Sequence, residues 1–303
     1  MALLLSGPPE RATIWAQVFA EAGERLIVAP EAPEDRADVT AIACWKPPAD
    51  LSLYPALRAV ISVGAGVDQM PAMPKGVTLC RTLAVGIEQM VRDWVVMSCL
   101  MLHRDMPRYL DQERRGEWSS GPVAPAHRRT VGVMGLGRIG RLAMDSLQAL
   151  GFQTCGWSRS GDPLPGHRVY GAADLRSFLA QAQTLVCLLP LTDQTRGILN
   201  ADLFAQLPMG AHLVHAGRGA QLDSAALMAA LDGGRIGAAM LDVTNPEPLP
   251  QDHPLWSDPR VVVTPHVAAS TDAQEGARHA LAVLAALRQG APLPGRVDPG
   301  QGY

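Results

Sequence analysis

The segment Thr130–Gly140 reads TVGVMGLGRIG, an apolar run followed by three closely spaced glycines. The apolar run predicts a buried strand, and the periodic stretch Arg138–Leu150 predicts a helix directly after it. In this setting the spacing G-x-G-x-x-G is typical of a dinucleotide site. Gly135 permits the tight turn, Gly137 lets backbone approach a pyrophosphate, and Gly140 allows close packing of helix on strand. Free N–H groups at the start of the helix would face the phosphates, and an ordinary glycine turn is the alternative.

Strand and helix patterns alternate on both sides of this segment. The downstream apolar runs that predict strands are Gln153–Trp157, Thr184–Leu189, His212–Ala216, Gly237–Leu241 and Val261–Thr264. Because strands buried on both faces read as continuous apolar runs, this region predicts a Rossmann-type doubly wound parallel sheet. Earlier runs at Ala2–Leu5, Leu26–Ala29, Thr40–Cys44 and Ala59–Val63 predict a second α/β domain. We place the dinucleotide-binding domain at residues 97–274, and a substrate domain built from both chain ends at residues 1–96 and 275–303.

Composition limits the possible partners. The 303 residues are 48% hydrophobic and 18% charged with a net charge of −3, which is typical of a globular protein. The chain has only two lysines and no basic stripe, so neither nucleic acid nor a membrane surface is a predicted partner. The longest apolar stretch, Trp94–Leu102, is far short of the roughly 20 residues that span a bilayer. Five widely spaced cysteines predict no disulfide framework, and a cytoplasmic location is expected.

The residues after the second strand of the predicted dinucleotide domain bear on the choice of cofactor. A carboxylate at this position hydrogen-bonds the ribose 2′-hydroxyl of NAD and repels a 2′-phosphate. The sequence instead has Ser158, Arg159 and Ser160, whose hydroxyls donate hydrogen bonds and whose guanidinium pairs with phosphate. We therefore predict NADP(H) as the preferred cofactor, with NAD(H) possible because Asp162 lies nearby.

Three reactive side chains each follow one of the last three predicted strands: Arg218, Glu247 and His266. In a parallel sheet these strands end at one edge, where ligands bind. The arginine can hold a carboxylate and polarise the adjacent ketone, while the histidine gives or takes the alcohol proton. The glutamate can orient the histidine and raise its pKa. The sequence therefore predicts catalysis of hydride transfer by these three residues.

The other histidines do not indicate a metal site. His212, His215 and His253 have no carboxylate or cysteine partner at a useful spacing, so no metal is predicted.

Seven motifs, in order along the chain, resemble the D-isomer-specific 2-hydroxyacid dehydrogenase family. They are Val131–Gly140, LPLT at 189–192, AGRG at 216–219, LDV at 241–243, EPLP at 247–250, HPLW at 253–256 and TPH at 264–266. The most similar subgroup is the bacterial glyoxylate/hydroxypyruvate reductases of the A type, which also resemble this chain at Trp157–Ser160 and Gly302–Tyr303. The resemblance covers essentially the whole chain. It implies a Rossmann-type cofactor domain and a flavodoxin-like α/β substrate domain.

The resemblance also implies roles for individual residues. Arg218 matches the family's substrate-binding arginine, His266 its acid/base histidine, and Glu247 the carboxylate paired with that histidine. Substrate contacts are further implied for the backbone of Gly64, Ala65 and Gly66 and for the ring of Trp45. The implied cofactor-binding residues are Gly135, Leu136, Gly137, Arg138, Ile139, Gly140, Ser158, Arg159, Ser160, Leu189, Pro190, Thr195, Ala216, Asp242 (at the nicotinamide carboxamide) and His266.

The implied activity is NADPH-dependent reduction of a small 2-oxo acid, glyoxylate or hydroxypyruvate, by a homodimer. Two alternatives are an NAD-linked dehydrogenase of a larger 2-hydroxy acid and a dinucleotide-sensing binding protein. The chain departs from the family pattern at two places. Gly217 stands where an alanine is common, from which we expect a small change in local packing. No basic residue follows soon after Ser160, which weakens the argument for strict NADP specificity.

Overall fold

The computed structural model describes residues 1–64, 66–84 and 86–298. The chain divides into two compact units. The first contains Met1–Ile87 and the chain from Ser270 onward, and the second contains Glu88–Ala269. The boundaries predicted from the sequence, at 96/97 and 274/275, fall inside the helices that begin at Ile87 and Ala273.

Strands and helices alternate along both units, as an α/β fold requires. The strands are β1 (Ala2–Ser6), β2 (Leu26–Val28), β3 (Val39–Cys44), β4 (Ala59–Ser62), β5 (Thr78–Arg81), β6 (Thr130–Met134), β7 (Gln153–Trp157), β8 (Arg168–Tyr170), β9 (Thr184–Cys187), β10 (Ala211–His215), β11 (Ile236–Leu241) and β12 (Val261–Val263). The helices are α1 (Pro9–Glu21), α2 (Ile87–His103), α3 (Met106–Arg115), α4 (Arg138–Ala149), α5 (Leu175–Leu179), α6 (Ala201–Phe204), α7 (Ser224–Asp232) and α8 (Ala273–Gln289). In the part of the chain that is described, no helix combines the length and apolar character needed to cross a membrane.

The first unit is built on a five-stranded parallel sheet with the order β2-β1-β3-β4-β5. This is the order of flavodoxin-like doubly wound sheets, so the predicted class of this domain is confirmed. Side chains alternate between the two faces of the sheet. Leu3 and Ile61 pack with Trp15 of α1 on one face, and Leu4 lies in a separate apolar cluster on the other.

The second unit contains a seven-stranded parallel sheet with the order β12-β11-β10-β9-β6-β7-β8. The chain runs outward from β6 through β7 to β8, then returns to continue on the other side of β6 from β9 onward. This reversal is the topological switch point of a Rossmann fold, where ligands bind at the carboxyl ends of the strands. The predicted Rossmann-type sheet is therefore confirmed, and it places the glycine turn after β6 at the switch point.

Candidate active site

The three glycines at the junction of β6 and α4 have different surroundings, with Gly135 and Gly137 before the helix and Gly140 in its first turn. Gly135 has a φ of +101°, and a Cβ there would lie 2.8 Å from the carbonyl oxygen of Leu188. A Cβ on Gly140 would overlap the carbonyl oxygen of Gly135, whereas one on Gly137 would meet nothing within 4 Å. Gly137 is also the N-cap of α4 and offers no side chain to its free N–H groups. The turn thus leaves open space at a helix N-terminus, which suits a pyrophosphate.

The other predicted residues of this turn lie around that space. Leu136 packs against β7, since a Cβ on Gly156 would come 2.6 Å from its Cδ2. Arg138 is 81% exposed in its side chain, and its Nε lies 2.8 Å from Glu88 Oε1. Ile139 packs against the apolar cluster that contains Val133.

Three polar side chains follow β7: Ser158 is half-buried, and Arg159 and Ser160 are exposed. Ser158 Oγ accepts a hydrogen bond from the N–H of Gly161 at 3.1 Å, and Ser160 Oγ donates one to Asp162 Oδ2 at 2.6 Å. Arg159 Nη1 lies 3.4 Å from Gln194 Oε1. A guanidinium and two hydroxyls in this position can bind the phosphate of an NADP ribose, and the carboxylate of Asp162 opposes that binding.

The predicted residues after β9 and β10 form the next part of the sheet edge. Thr195 Oγ1 donates to the carbonyl oxygen of Pro190 at 2.6 Å and accepts from the N–H of Thr192 at 2.8 Å. Leu189 is buried, and Ala216 N–H donates to the carbonyl of Cys187. These hydrogen bonds fix the turn Leu189–Thr195 beside the end of β10.

His266 and Glu247 form a hydrogen-bonded pair. His266 Nδ1 lies 2.9 Å from Glu247 Oε2, and the other carboxylate oxygen accepts from the N–H of Thr244 at 3.0 Å. The hydrogen bond to Glu247 raises the pKa of His266 above its ordinary value, although burial opposes this. Burial acts to raise the pKa of Glu247, but the hydrogen bonds from His266 and Thr244 outweigh it and lower that pKa. Near neutral pH the glutamate is therefore ionised, and the histidine keeps its proton to a higher pH.

Arg218 lies close to this pair. A Cβ on the next residue, Gly219, would overlap the carbonyl of Thr244, so the turn after β10 packs directly on the turn that carries Glu247. The positive charge of the Arg218 guanidinium acts to lower the pKa of both Glu247 and His266. The structure thus brings the three predicted catalytic residues together at the carboxyl ends of β10, β11 and β12.

A buried carboxylate holds the turn that presents His266. His266 has a φ of +55°, a left-handed conformation that is uncommon outside glycine. Asp242 is 2% exposed, and its carboxylate accepts the N–H groups of Val267 and Ala268, both at 2.9 Å, and the hydroxyl of Thr264 at 2.6 Å. Trp94 Nε1 in turn donates to Thr264 Oγ1 at 3.1 Å. Asp242, expected at the nicotinamide, therefore also anchors the His266 turn.

Three supporting residues were not predicted from the sequence: Trp94, Thr244 and Gln221. Thr244 directly follows the LDV motif at 241–243, so it could have been noticed there. Trp94 had no comparable signal because it bonds Thr264, which is distant in sequence, and Gln221 had none because it bonds the distant carbonyls of Leu189 and Pro190.

The first unit holds the remaining predicted substrate residues. The Trp45 ring lies beside Gly64, where a Cβ would come 3.1 Å from Cζ3 of the indole. Ser62 Oγ donates to the carbonyl oxygen of Gly66 at 2.6 Å and shapes the same loop. Ala65 lies outside the described residues, as do Gly302 and Tyr303.

Among the described residues, no group of three or more His, Cys, Asp or Glu side chains is placed so that it could hold a metal ion. Two of the other histidines lie on β10, and Nε2 of His215 is 3.0 Å from the carbonyl oxygen of Arg218. Burial lowers the pKa of both His212 and His215 to about 4, so their imidazoles are neutral near pH 7.

Comparison with known proteins agrees with this geometry. The sequence profile of the family described as D-isomer specific 2-hydroxyacid dehydrogenase, NAD binding domain, matches residues 96–268. Glyoxylate/hydroxypyruvate reductase A from Salmonella heidelberg (strain SL476) is 38% identical over 268 residues, which cover 86% of each chain.

Solved structures resemble the whole chain. An NADPH-dependent glyoxylate/hydroxypyruvate reductase from Sinorhizobium meliloti, in complex with NADP and sulfate, has a TM-score of 0.90 and 36% identity over 100% of both chains. A D-isomer specific 2-hydroxyacid dehydrogenase from Xanthobacter autotrophicus Py2, in complex with NADPH and MES, has a TM-score of 0.90 and 34% identity, and the match covers 100% of this chain and 99% of that one. From the profile match and these identities over nearly full length, the chain belongs to the D-isomer specific 2-hydroxyacid dehydrogenase family.

Proposed function

We propose that this protein reduces a small 2-oxo acid, glyoxylate or hydroxypyruvate, to the 2-hydroxy acid with NADPH. The observation that carries the proposal is the hydrogen bond of 2.9 Å between His266 Nδ1 and Glu247 Oε2, close to the positive charge of Arg218. The named activity of the Salmonella and Sinorhizobium relatives supports the substrate class. The NADP and NADPH complexes of two structural relatives support the cofactor.

The chemistry follows from what each residue can do. NADPH, when bound, supplies a hydride from C4 of its nicotinamide ring. Arg218 binds the substrate carboxylate and polarises the ketone oxygen, which makes the carbonyl carbon more electrophilic. Because Nδ1 of His266 is bonded to Glu247, Nε2 is the nitrogen that delivers a proton to the ketone oxygen. Ionised Glu247 stabilises the protonated imidazole and fixes its orientation.

Residues of the second unit would hold the cofactor. Open space at Gly137 and the free N–H groups of α4 suit the pyrophosphate, with Gly135, Leu136, Arg138, Ile139 and Gly140 shaping the turn. Ser158, Arg159 and Ser160 would bind the 2′-phosphate. Leu189, Pro190, Thr195, Ala216 and Asp242 would line the nicotinamide end. We assign dinucleotide binding to this unit because the family profile for the NAD binding domain matches residues 96–268.

We assign substrate binding to the first unit. The backbone N–H groups of Gly64, Ala65 and Gly66 are the proposed carboxylate contacts, and Trp45 is the proposed aromatic contact. The position of the indole beside Gly64 supports a common role for the two residues.

We also propose a homodimer in a reducing, cytoplasmic compartment. Large apolar side chains are exposed within one stretch of the second unit: Met97, Leu100, Trp118 and Val123. Exposed apolar surface of this kind commonly marks a protein interface. Mass measurement by light scattering tests the dimer.

The five cysteines are all buried free thiols, which suits a reducing compartment.

Initial rates with a panel of oxo acids and both cofactors test the activity. We expect fast turnover of glyoxylate and hydroxypyruvate with NADPH, slower turnover of pyruvate and phenylpyruvate, and weaker activity with NADH. His266→Ala serves as the catalytic control and should lower kcat by about 10²-fold or more. Preference for phenylpyruvate would contradict the proposed substrate. Cofactor binding without turnover of any oxo acid would favour a sensing role.

Arg159→Ala tests the cofactor assignment separately. Loss of the guanidinium removes a partner for the 2′-phosphate, so the KM for NADPH should rise about tenfold or more while that for NADH changes little. Equal effects on the two cofactors would contradict the phosphate contact.

A further inference from the structure

Gln221 lies in the turn after Arg218 and is completely buried. A buried carboxamide requires partners for both of its ends, because an unpaired polar group in the interior is unfavourable. Here both ends are bonded. Gln221 Oε1 accepts the backbone N–H of Arg218 at 2.7 Å, and Nε2 donates to the carbonyl oxygens of Leu189 at 3.1 Å and Pro190 at 3.0 Å. One side chain therefore joins the turn after β10 to the turn after β9.

The glycine at position 217 makes room for this side chain. A Cβ on Gly217 would overlap Gln221 Oε1 and would lie 3.0 Å from the carbonyl oxygen of Leu189. An alanine here would have to displace the carboxamide from the N–H of Arg218. The presence of glycine next to Arg218 and of glutamine at position 221 is thus explained by one packing arrangement, which the family pattern alone did not predict.

We propose that Gln221 is a positioning residue, which holds the backbone of Arg218 against the Leu189–Pro190 turn and so sets how the guanidinium meets the carboxylate of the 2-oxo acid. This inference rests on the proposed role of Arg218. Arg218 Nη1 also donates to the carbonyl oxygen of Gly217 at 2.7 Å, so the guanidinium is oriented by the same short segment that Gln221 holds. A small displacement of that segment moves the guanidinium relative to the Glu247–His266 pair, which sits on other strands.

Gln221→Met tests the proposal, since methionine has a similar length and shape but none of the three hydrogen bonds. We expect kcat/KM for glyoxylate to fall about tenfold or more, with a larger change in KM than in kcat, because misplacement of a binding group by about 1 Å is costly. The pH dependence of the reaction should shift only slightly, because the hydrogen bond to Glu247, the main cause of the raised pKa of His266, remains and only the smaller effect of the Arg218 charge changes. An unchanged KM for glyoxylate in folded Gln221→Met would overturn the proposal.

A matched control separates positioning from stability. Gln183 Oε1 accepts the backbone N–H of Thr130 at 3.0 Å, at the amino end of the same sheet. Gln183→Met removes a bond of the same kind and should lower the melting temperature with both kinetic constants within about twofold of the wild type. If Gln183→Met raised the KM for glyoxylate as much as Gln221→Met, the effect would be general destabilisation and the proposal would be wrong.

Gly217→Ala gives a second variant in which Gln221 itself is retained, and it serves if Gln221→Met does not fold. The added methyl should displace the carboxamide and raise the KM for glyoxylate in the same direction. Wild-type kinetics in Gly217→Ala would contradict the proposal.

A double-mutant cycle with Arg218→Lys distinguishes this inference from the proposed function. If Gln221 acts through Arg218, the two losses overlap, and Arg218→Lys/Gln221→Met should lie within about threefold of Arg218→Lys alone in kcat/KM. Fully multiplicative losses would overturn the role of Gln221 and leave that of Arg218 intact. An undamaged Arg218→Lys variant would instead overturn the proposed role of Arg218 itself.

Discussion

His266 combines an uncommon backbone conformation with a raised pKa, and the two have different causes. The left-handed φ of +55° costs about 1–3 kcal/mol in a residue other than glycine, so neighbouring bonds must hold it. The carboxylate of Asp242 forms these bonds, because it accepts the N–H groups of Val267 and Ala268. The raised pKa comes mainly from Glu247, whose hydrogen bond stabilises the charged imidazole. Geometry and protonation can therefore be perturbed separately.

Glu247→Gln should alter protonation and leave the position of the ring largely unchanged. Reduction requires protonated His266, so activity is present below its pKa and is lost as the pH rises through it. Glutamine removes the negative charge, the pKa of His266 falls, and the decline of kcat/KM should move to lower pH. A pH profile of the reductive reaction measures this shift. Glu275→Gln, which removes an exposed carboxylate paired with Arg278 on α8, is the control. The same inflection in Glu247→Gln as in the wild type would contradict the role of Glu247.

Thr264→Val should alter the anchoring of the turn. The hydroxyl of Thr264 donates to the buried carboxylate of Asp242 and accepts from Trp94 Nε1, and valine removes both bonds at similar shape. Loss of a hydrogen bond to a charged group should lower the free energy of unfolding by about 2 kcal/mol. For a unit of this size, that corresponds to a decrease of about 4–8 °C in melting temperature. Thr13→Val, at an exposed position of α1, removes a bond to the Pro9 carbonyl and should change the melting temperature far less.

At the scale of elements, glycines at the junction of β6 and α4 have two different roles. Gly140 is required for packing, whereas Gly137 leaves space for a ligand. Gly140→Ala brings a Cβ onto the carbonyl oxygen of Gly135, and the resulting overpacking should cost about 3 kcal/mol or abolish folding. Gly137→Ala meets open space and should fold with a nearly unchanged melting temperature. Its methyl would keep a pyrophosphate from the backbone, so the Kd for NADPH should rise about tenfold or more. Thermal unfolding and fluorescence titration of both variants would test this, and normal NADPH binding by Gly137→Ala would contradict it.

The elements also show what a sequence can and cannot predict. The long apolar strands were predicted because their signal is local. Helix starts also have a local basis, since the N-caps Asn200 and Asp223 each accept a hydrogen bond from the first turn of their own helix. The edge strands β5 and β8 were missed, since they are short and contain exposed or half-exposed polar residues. The catalytic residues were predicted because each lies in the segment that follows a predicted strand. Gln221 was not, because its partners Leu189 and Pro190 are distant in sequence and meet it only in the folded sheet.

At the scale of the whole molecule, each unit has its own hydrophobic interior. Of the four apolar clusters among the described residues, two consist of residues of the second unit and two of residues of the first. Separate cores allow the stability of one unit to change without an equal change in the other. All the proposed cofactor-binding residues lie in the second unit, Glu88–Ala269.

NADPH alone should therefore stabilise the second unit selectively. At a concentration 100 times its Kd, a ligand that binds only the folded state adds about 2.7 kcal/mol. Hydrogen exchange of the full-length protein, followed by mass spectrometry, should show slower exchange in β6, α4, β9 and β10 when NADPH is added. Exchange in β1, β3 and β4 should stay nearly the same, because those strands belong to the other core. The Gly137→Ala variant at the same NADPH concentration is the control, since it should lose the slowing without losing the fold. Equal slowing in both units would show that they unfold together, and would contradict the independence inferred from their separate cores.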